Sequence, residues 1–377
     1  MEAVPFRSWA EVSRGRIAEN FRRVRAAVGA GVEIVGVVKA DAYGHGAVEV
    51  ARVLTGEGAR WLAVSSVEEG IALREAEIGS RILVMADRAT SVYPALVEYG
   101  LTPVVHSLED LRELSSLANG GAPPLRYHLK IDTGMGRLGT RSTVSEIACA
   151  VKDECRLQLE GLMTHLASAA DYTSKQTDRQ VRAFERLAAG LREASVCAEF
   201  MHMSSTNPIA YGRREALHNM VRPGHALYGY VSPARGEAPE RVLEVSPALT
   251  WKARVISTKE VPEGAQIGYG GMFRAQRPAR IAILGVGYAD GLSHRLSNRG
   301  HVIAAGKLVP ILGAVSMDVT TIDVTDCPSI HAGDAVTLLG SEGDVSINAQ
   351  QMARMAGTIS YDILCGIRTR VKRVYVA

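Results

Sequence analysis

Between Val32 and Arg222 short apolar runs alternate with amphipathic stretches, and that alternation constrains the fold more tightly than any other feature of the sequence. Eight runs read as strands: Val32–Val38, Trp61–Ser65, Arg81–Met85, Thr102–Val105, Arg126–Ile131, Leu157–Met163, Ala198–Met203 and a short one at Asn219–Arg222. The stretches between them have helical spacing, as in Ile17, Phe21, Val24 and Val28, or Val181, Phe184, Leu187 and Leu191. Strands that alternate with helices predict a parallel sheet joined by crossovers. Eight such units point to an α/β fold of the closed (β/α)8 TIM-barrel type rather than to an open doubly wound sheet.

After Arg241 the texture changes to short β-branched runs punctuated by Gly and Pro: Leu249–Ser257, Ala279–Gly285, Val302–Ala304, Val319–Val324, Ala335–Leu339 and Val371–Val376. This predicts a C-terminal, mostly-β domain, interrupted by one helix from Ser346 to Met355 with Ser346 as its cap. The Pro-, Ala- and Gly-rich stretch Ser232–Glu240 reads as the linker. A chain of 377 residues exceeds the usual length of one domain, which agrees with a barrel over residues 13–240 followed by a β domain from 241 to 377.

Lys and Arg (43) are interleaved with Asp and Glu (40) for a net charge of +3, so the basic stripe of a nucleic-acid-binding protein is missing. No apolar run approaches bilayer length, and Met1–Arg7 shows no basic segment leading into an apolar one, so no membrane partner is expected and a cytoplasmic location is. Five scattered cysteines without a C-x-x-C pair argue against a disulfide framework and against a zinc site.

Four segments carry chemistry. The first strand ends in Lys39, followed by a turn containing Gly44 and Gly46; at the C-terminal rim of a barrel strand a partly desolvated lysine is a candidate nucleophile toward an aldehyde. The fifth ends in Lys130, followed by Asp132-Thr133-Gly134-Met135-Gly136-Arg137, where Arg137 offers a planar fork for a carboxylate or one half of a surface Asp–Arg pair. After the eighth comes Arg222-Pro223-Gly224-His225, a turn whose backbone N–H groups suit a phosphate. In the second domain, Gly268-Tyr269-Gly270 places a tyrosine on a tight turn.

Val38-Lys39-Ala40-Asp41-Ala42-Tyr43-Gly44-His45-Gly46 resembles the cofactor-lysine signature of alanine racemases. Further landmarks of that family recur in order: His128–Gly139, Met163-Thr164-His165, Asn219–Gly229, Gln266–Gly271, Gly287–Gly291, Ser316-Met317-Asp318 and Ser360-Tyr361-Asp362. The resemblance spans essentially the whole chain and adds residues 1–12 to the β domain. It implies pyridoxal 5'-phosphate as cofactor, a small amino acid as substrate, and a homodimer with shared active sites. The implied product, D-alanine, would supply cell-wall peptidoglycan.

Racemisation removes a proton from one face of the Cα and delivers one to the other, which requires two acid–base groups. The resemblance gives these roles to Lys39, which also binds the cofactor, and to Tyr269, reaching across from the partner subunit. It assigns cofactor binding to Tyr43, His165, Ser205, Thr206, Arg222, Gly224, His225 and Tyr361, and substrate binding to Arg137, Tyr288 and Met317. The residue matching Lys130 is often carbamylated in the family, giving a negative charge that orients the arginine. Arg222 would face the pyridine nitrogen; because a guanidinium does not readily lose its proton, the ring stays unprotonated and is a weaker electron sink.

The match departs from the family pattern at Ser205, where an Asn is common, and at Thr206, His225, Ser316 and Asp362. These changes bear on fine specificity. Serine, lysine or ornithine as substrate stays open, although Tyr288 and Met317 favour a tight pocket suited to alanine. A decarboxylase of the same architecture expects a catalytic cysteine, and neither Cys327 nor Cys365 lies in a matching segment. A non-catalytic cofactor carrier would leave the β domain superfluous.

Overall fold

The structure, a computed structural model, describes residues 6–87, 89–118 and 124–377. Met1–Pro5, part of the segment that bears on a leader, lies outside the described residues. Strand β1 (Ser8–Ser13) belongs to the β unit, and eight strands of a parallel sheet follow it. These are β2 (Glu33–Val37), β3 (Trp61–Val64), β4 (Arg81–Val84), β5 (Leu101–Val105), β6 (Leu125–Lys130), β7 (Leu157–Met163), β8 (Phe200–His202) and β9 (Met220–Val221).

In space the strands run β9-β2-β3-β4-β5-β6-β7-β8, every pair parallel, so the chain winds round in sequence order and brings its last strand back to its first. β3 is buried at every position, as expected for strands covered by helices outside and by side chains inside. The gap between β8 and β9 is bridged by a side chain: Asn219 donates from Nδ2 to Glu199 O (2.6 Å) and accepts at Oδ1 from Met201 N (2.8 Å). Arg222 N donates to Ser204 O (2.9 Å) just beyond. The expected eight-strand TIM-type barrel is therefore present, nearly closed, with an amide standing in for the missing backbone ladder.

The helices pack as their apolar spacing requires. Gln176–Glu193 buries Val181, Phe184, Ala188 and Leu191, so Ala188 rather than Leu187 completes the stripe. Arg14–Val28 buries Ile17, Phe21 and Val24.

The second unit is a sheet of β10 (Leu249–Val261), β13 (Ala279–Leu284), β14 (His301–Ala304), β15 (Lys307–Leu312), β16 (Thr320–Asp323), β17 (Ala335–Glu342), β18 (Val345–Ile347) and β19 (Lys372–Val376) with β1; β11 (Gln266–Ile267) and β12 (Phe273–Arg274) form a separate hairpin. β10 pairs with β13 over one part and with β17 over another, which bends the sheet back on itself, and register shifts along it permit the turn. The run Lys307–Leu312, not among the strands expected from sequence, forms one despite Pro310. One expectation is corrected. The expected single helix is two, Ala349–Ala356 and Ser360–Gly366, and its cap is Asn348, which forms a reciprocal capping box with Gln351, while Ser346 pairs within β18.

By its contacts the chain divides into a β unit of Met1–Arg16, Tyr43–Gly46 and Pro247–Ala377 and a barrel unit of Ile17–Ala42 and Ala47–Ser246.

Candidate active site

Lys39 follows β2 at the C-terminal end of the barrel, half-buried. The end of β2 is pinned by Tyr228, whose hydroxyl donates to Val37 O (2.8 Å). The helical turn Lys39–Gly44 is left-handed: Ala40, Asp41, Ala42 and Tyr43 have φ of 53°, 51°, 52° and 53°. Each L-residue held so costs about 1–2 kcal/mol, and such strain persists only where surrounding contacts impose it. Glu69 supplies one of them, accepting from Ala40 N (2.6 Å) through Oε1 while Oε2 accepts from Ser65 N (2.7 Å). Asp41 supplies another, accepting from Ala47 N (2.7 Å).

The loop after β6 is organised by Asp132. Its Oδ1 collects the N–H groups of Gly134, Met135 and Gly136 at 2.9–3.0 Å and its Oδ2 accepts from Arg141 (2.8 Å). Burial pushes this carboxyl up, but the backbone donors and Arg141 prevail and hold it down at about 2. Arg137 stands exposed on this loop, and among the described residues no hydrogen bond or ion pair ties it down.

Lys130 is buried at the end of β6. Burial, with Arg222, Arg137 and Lys39 near it, lowers its ammonium to about 8 against only the opposing pull of Asp132. His165 is likewise pushed down, to about 3, by burial and by Arg222 and Lys130. Arg222 itself is buried, and burial brings it down to about 10. Its Nη1 bonds His202 Nδ1 (2.6 Å) and His202 O (3.0 Å), and its Nη2 bonds Thr164 O (2.7 Å) and approaches His165 Nδ1 (3.4 Å). Four of the five guanidinium N–H groups are thus directed at protein acceptors, and the fifth, on Nε, meets none among the described residues.

Beyond β9, the N–H groups of Gly224 and Ala226 converge on Thr206 Oγ1 at 3.4 and 3.1 Å. The neighbouring Ser205 makes no side-chain cap to the Thr206–Ala210 helix. His225 is buried with its ring stacked on Tyr230 at 5.1 Å between centroids. Two amides aimed at one hydroxyl, in the loop where barrels commonly bind phosphate, suit the phosphate of pyridoxal phosphate.

In the β unit the sequence-predicted residues lie on three interlaced loops. Tyr288 N donates to Ser316 O (2.9 Å) and Ala289 N to Met317 O (3.0 Å), which fixes Tyr288 beside Met317. Asn298 ties the loop that carries Tyr269 to the loop that leads to Met317, donating to Met272 O (2.8 Å) and accepting from Gly313 N (2.6 Å). A Cβ at Gly287 would stand 2.3 Å from Met317 O, so only glycine permits this approach. Tyr269 is 78% exposed, Met317 53% and Tyr288 40%. Tyr361 faces Tyr43 with ring centroids 5.9 Å apart, and burial pushes the Tyr43 phenol up.

Two contributors were not foreseen from sequence. Glu69 shows there only as the fourth residue of a Ser66-x-x-Glu69 capping box, which is present, and its grip on Ala40 has no local signature. Gln180 sits on the apolar face of its helix, yet it donates to Thr133 Oγ1 (3.3 Å) and His165 O (3.0 Å) and accepts from Ala167 N (2.9 Å), bracing the loop that carries His165.

Comparison with known proteins matches residues 12–233 to the family described as alanine racemase, N-terminal domain, and residues 248–375 to alanine racemase, C-terminal domain. An alanine racemase of Halothermothrix orenii is 40% identical over 98% of this chain and 96% of its own length. Among solved structures, the alanine racemase of Bacillus anthracis with bound L-Ala-P superposes with a TM-score of 0.88 at 32% identity, covering 99% of this chain and 96% of that one. That of Bartonella henselae with covalently bound pyridoxal phosphate gives 0.87 at 27%, covering 99% and 100%.

Proposed function

The chain belongs to the alanine racemase family over nearly its whole length, and we propose that within it Lys39 and Tyr269 are the two groups that exchange protons at the substrate Cα. The protein interconverts L- and D-alanine and depends on pyridoxal phosphate. When bound, that cofactor acidifies the Cα–H bond by conjugating it with the ring. Lys39 holds the cofactor and moves a proton on one face, and Tyr269 from a second copy moves one on the other.

The observation that carries this reading is the arrangement around Arg222. Among the described residues its Nε–H meets no protein acceptor and is free for a ring nitrogen, and in the same segment the Gly224 and Ala226 amides meet Thr206, where a phosphate would sit. Arg222 donates without protonating, which keeps the ring a modest electron sink and disfavours side reactions such as transamination. Arg137, unencumbered on its loop, takes the substrate carboxylate. Tyr43 and Tyr361, with the loop carrying Ser205 and Thr206, hold the cofactor, and Tyr288 and Met317 limit the side chain to a methyl group.

Lys130 is the fourth cation of the barrel's rim, and with its ammonium lowered to about 8 roughly a tenth of it is neutral at pH 7. A neutral amine adds carbon dioxide to form a carbamate with release of a proton, turning one of four positive groups negative. That change suits a site where Asp132 is already committed to its own loop. The homodimer is favoured by the exposure of Tyr269, Met272, Tyr288 and Met317 on one β unit, a concentration of apolar groups that a second copy would cover.

The purified protein is expected to convert L-alanine to D-alanine with exchange of the Cα hydrogen for solvent deuterium, and borohydride reduction is expected to label Lys39 with cofactor. A label on another residue contradicts the assignment. Tyr269→Phe should suppress exchange from L-alanine far more than from D-alanine while cofactor binding persists; equal small losses in both directions remove Tyr269 from the chemistry.

A further inference from the structure

The contacts behind Arg222 continue beyond its own neighbours. Arg222 Nη1 lies 2.6 Å from His202 Nδ1, His202 Nε2 lies 2.8 Å from His128 Nδ1, and His128 Nε2 lies 3.5 Å from Glu160 Oε2. All four groups are buried, the two imidazoles completely. At the far end Arg81 grips Glu160 through two bonds of 2.7 Å, and Arg126 adds a third at 3.1 Å. The row passes from the residue after β9 through β8 and β6 to β7, inside the barrel. Room for it depends on Gly161, where a Cβ would stand 2.4 Å from His128 Nδ1.

Chemistry gives the row one direction. A guanidinium only donates and an ionised carboxylate only accepts, so both ends demand the same polarity. Burial pushes the Glu160 carboxyl up, yet His128 and Arg81 bring it down to about 2, so it is ionised. Burial lowers both histidines; Arg222 adds to this at His202, and at His128 burial outweighs the upward pull of Glu160, so each is neutral with one N–H. One assignment suits the row: Arg222 donates to His202 Nδ1, His202 Nε2–H donates to His128 Nδ1, and His128 Nε2–H faces Glu160 Oε2 at 3.5 Å, near it but without a formed hydrogen bond.

We propose that His202 is a positioning residue for Arg222, set by His128 and Glu160 in the tautomer that accepts from the guanidinium. The alternative tautomer would turn an N–H toward the Arg222 N–H, push the guanidinium away and misdirect the Nε–H offered to the cofactor ring. This inference rests on the reading of Arg222 given above.

The test uses the holoenzyme with ¹⁵N-labelled histidine and, separately, with cofactor labelled at the ring nitrogen. In the unaltered protein both His128 and His202 should be neutral and protonated at Nε2 from about pH 6 to 9. A Nδ1–H form at either overturns the proposal without any variant. His202→Leu should shift the ring-nitrogen resonance toward that of free cofactor and lower kcat/KM roughly 10–100-fold. His202→Gln, whose amide oxygen accepts from Arg222, should recover most of both losses, and Glu160→Gln should shift the ring nitrogen in the same direction as the leucine variant. A folded, cofactor-loaded His202→Leu with an unshifted resonance and kcat/KM within about threefold of normal overturns the proposal. A ring-nitrogen resonance equal to that of free cofactor in the unaltered protein instead removes Arg222 from the ring, and with it the purpose of the row.

Discussion

Lys130 shows how a single residue makes the site's electrostatics testable. Its ammonium is lowered to about 8 by burial and by the surrounding Arg222, Arg137 and Lys39. A free lysine side chain titrates near 10.4, so between about pH 8 and that value the unfolded chain binds a proton that the folded chain does not. Stability contributed at this position therefore rises with pH through that window, and below it the buried ammonium is fully unfavourable. In carbonate-free buffer at pH 7, Lys130→Met should raise stability by roughly 1–3 kcal/mol, read from denaturant unfolding. Added bicarbonate should narrow that gap by stabilising the unaltered protein. A destabilised Lys130→Met in carbonate-free buffer contradicts this account of the cation cluster.

At the scale of elements the left-handed turn after Lys39 makes a prediction opposite in sign to ordinary helix behaviour. Ala40 is exposed with φ of 53°, so Ala40→Gly should stabilise the protein by about 1 kcal/mol, whereas in a right-handed helix it would destabilise by a similar amount. A lowered Tm contradicts the left-handed geometry. Gly287→Ala should do the reverse and disrupt the loop carrying Tyr288, because its Cβ meets Met317 O at 2.3 Å; unchanged Tm and KM for alanine count against that packing. These elements also mark where sequence reading succeeds. The barrel was legible because buried parallel strands and amphipathic helices impose different periods on the chain. Its closure was not, since Asn219 bridges β8 and β9 through a side-chain amide that leaves no periodic trace. The turn's handedness escaped for a similar reason, being imposed in part by Glu69 from a different helix. β15, which carries Pro310, was not among the expected strands, and Asn348 was overlooked as a cap in favour of a serine that belongs to a strand. In the candidate site the ends of strands and the glycine turns were readable, whereas the cation cluster at Lys130 and the bracing by Gln180 arise from packing between distant segments.

At the scale of the whole molecule, the central claim is that Lys39 of one copy works with Tyr269 of another. The β unit leaves Tyr269 78% exposed, with Met272, Tyr288 and Met317 also open to solvent, and such a concentration of large apolar groups suits a covering partner. The most direct measurement is complementation between two variants, Lys39→Ala and Tyr269→Phe, each assayed alone and after co-expression from separately tagged genes. Alone, each should be nearly inactive toward L-alanine. The purified mixed dimer should regain about half of the normal activity, because one of its two sites then combines an intact Lys39 with an intact Tyr269 while the other lacks both. A mixed dimer as inactive as its parents would place the two residues in one chain's site and contradict the account.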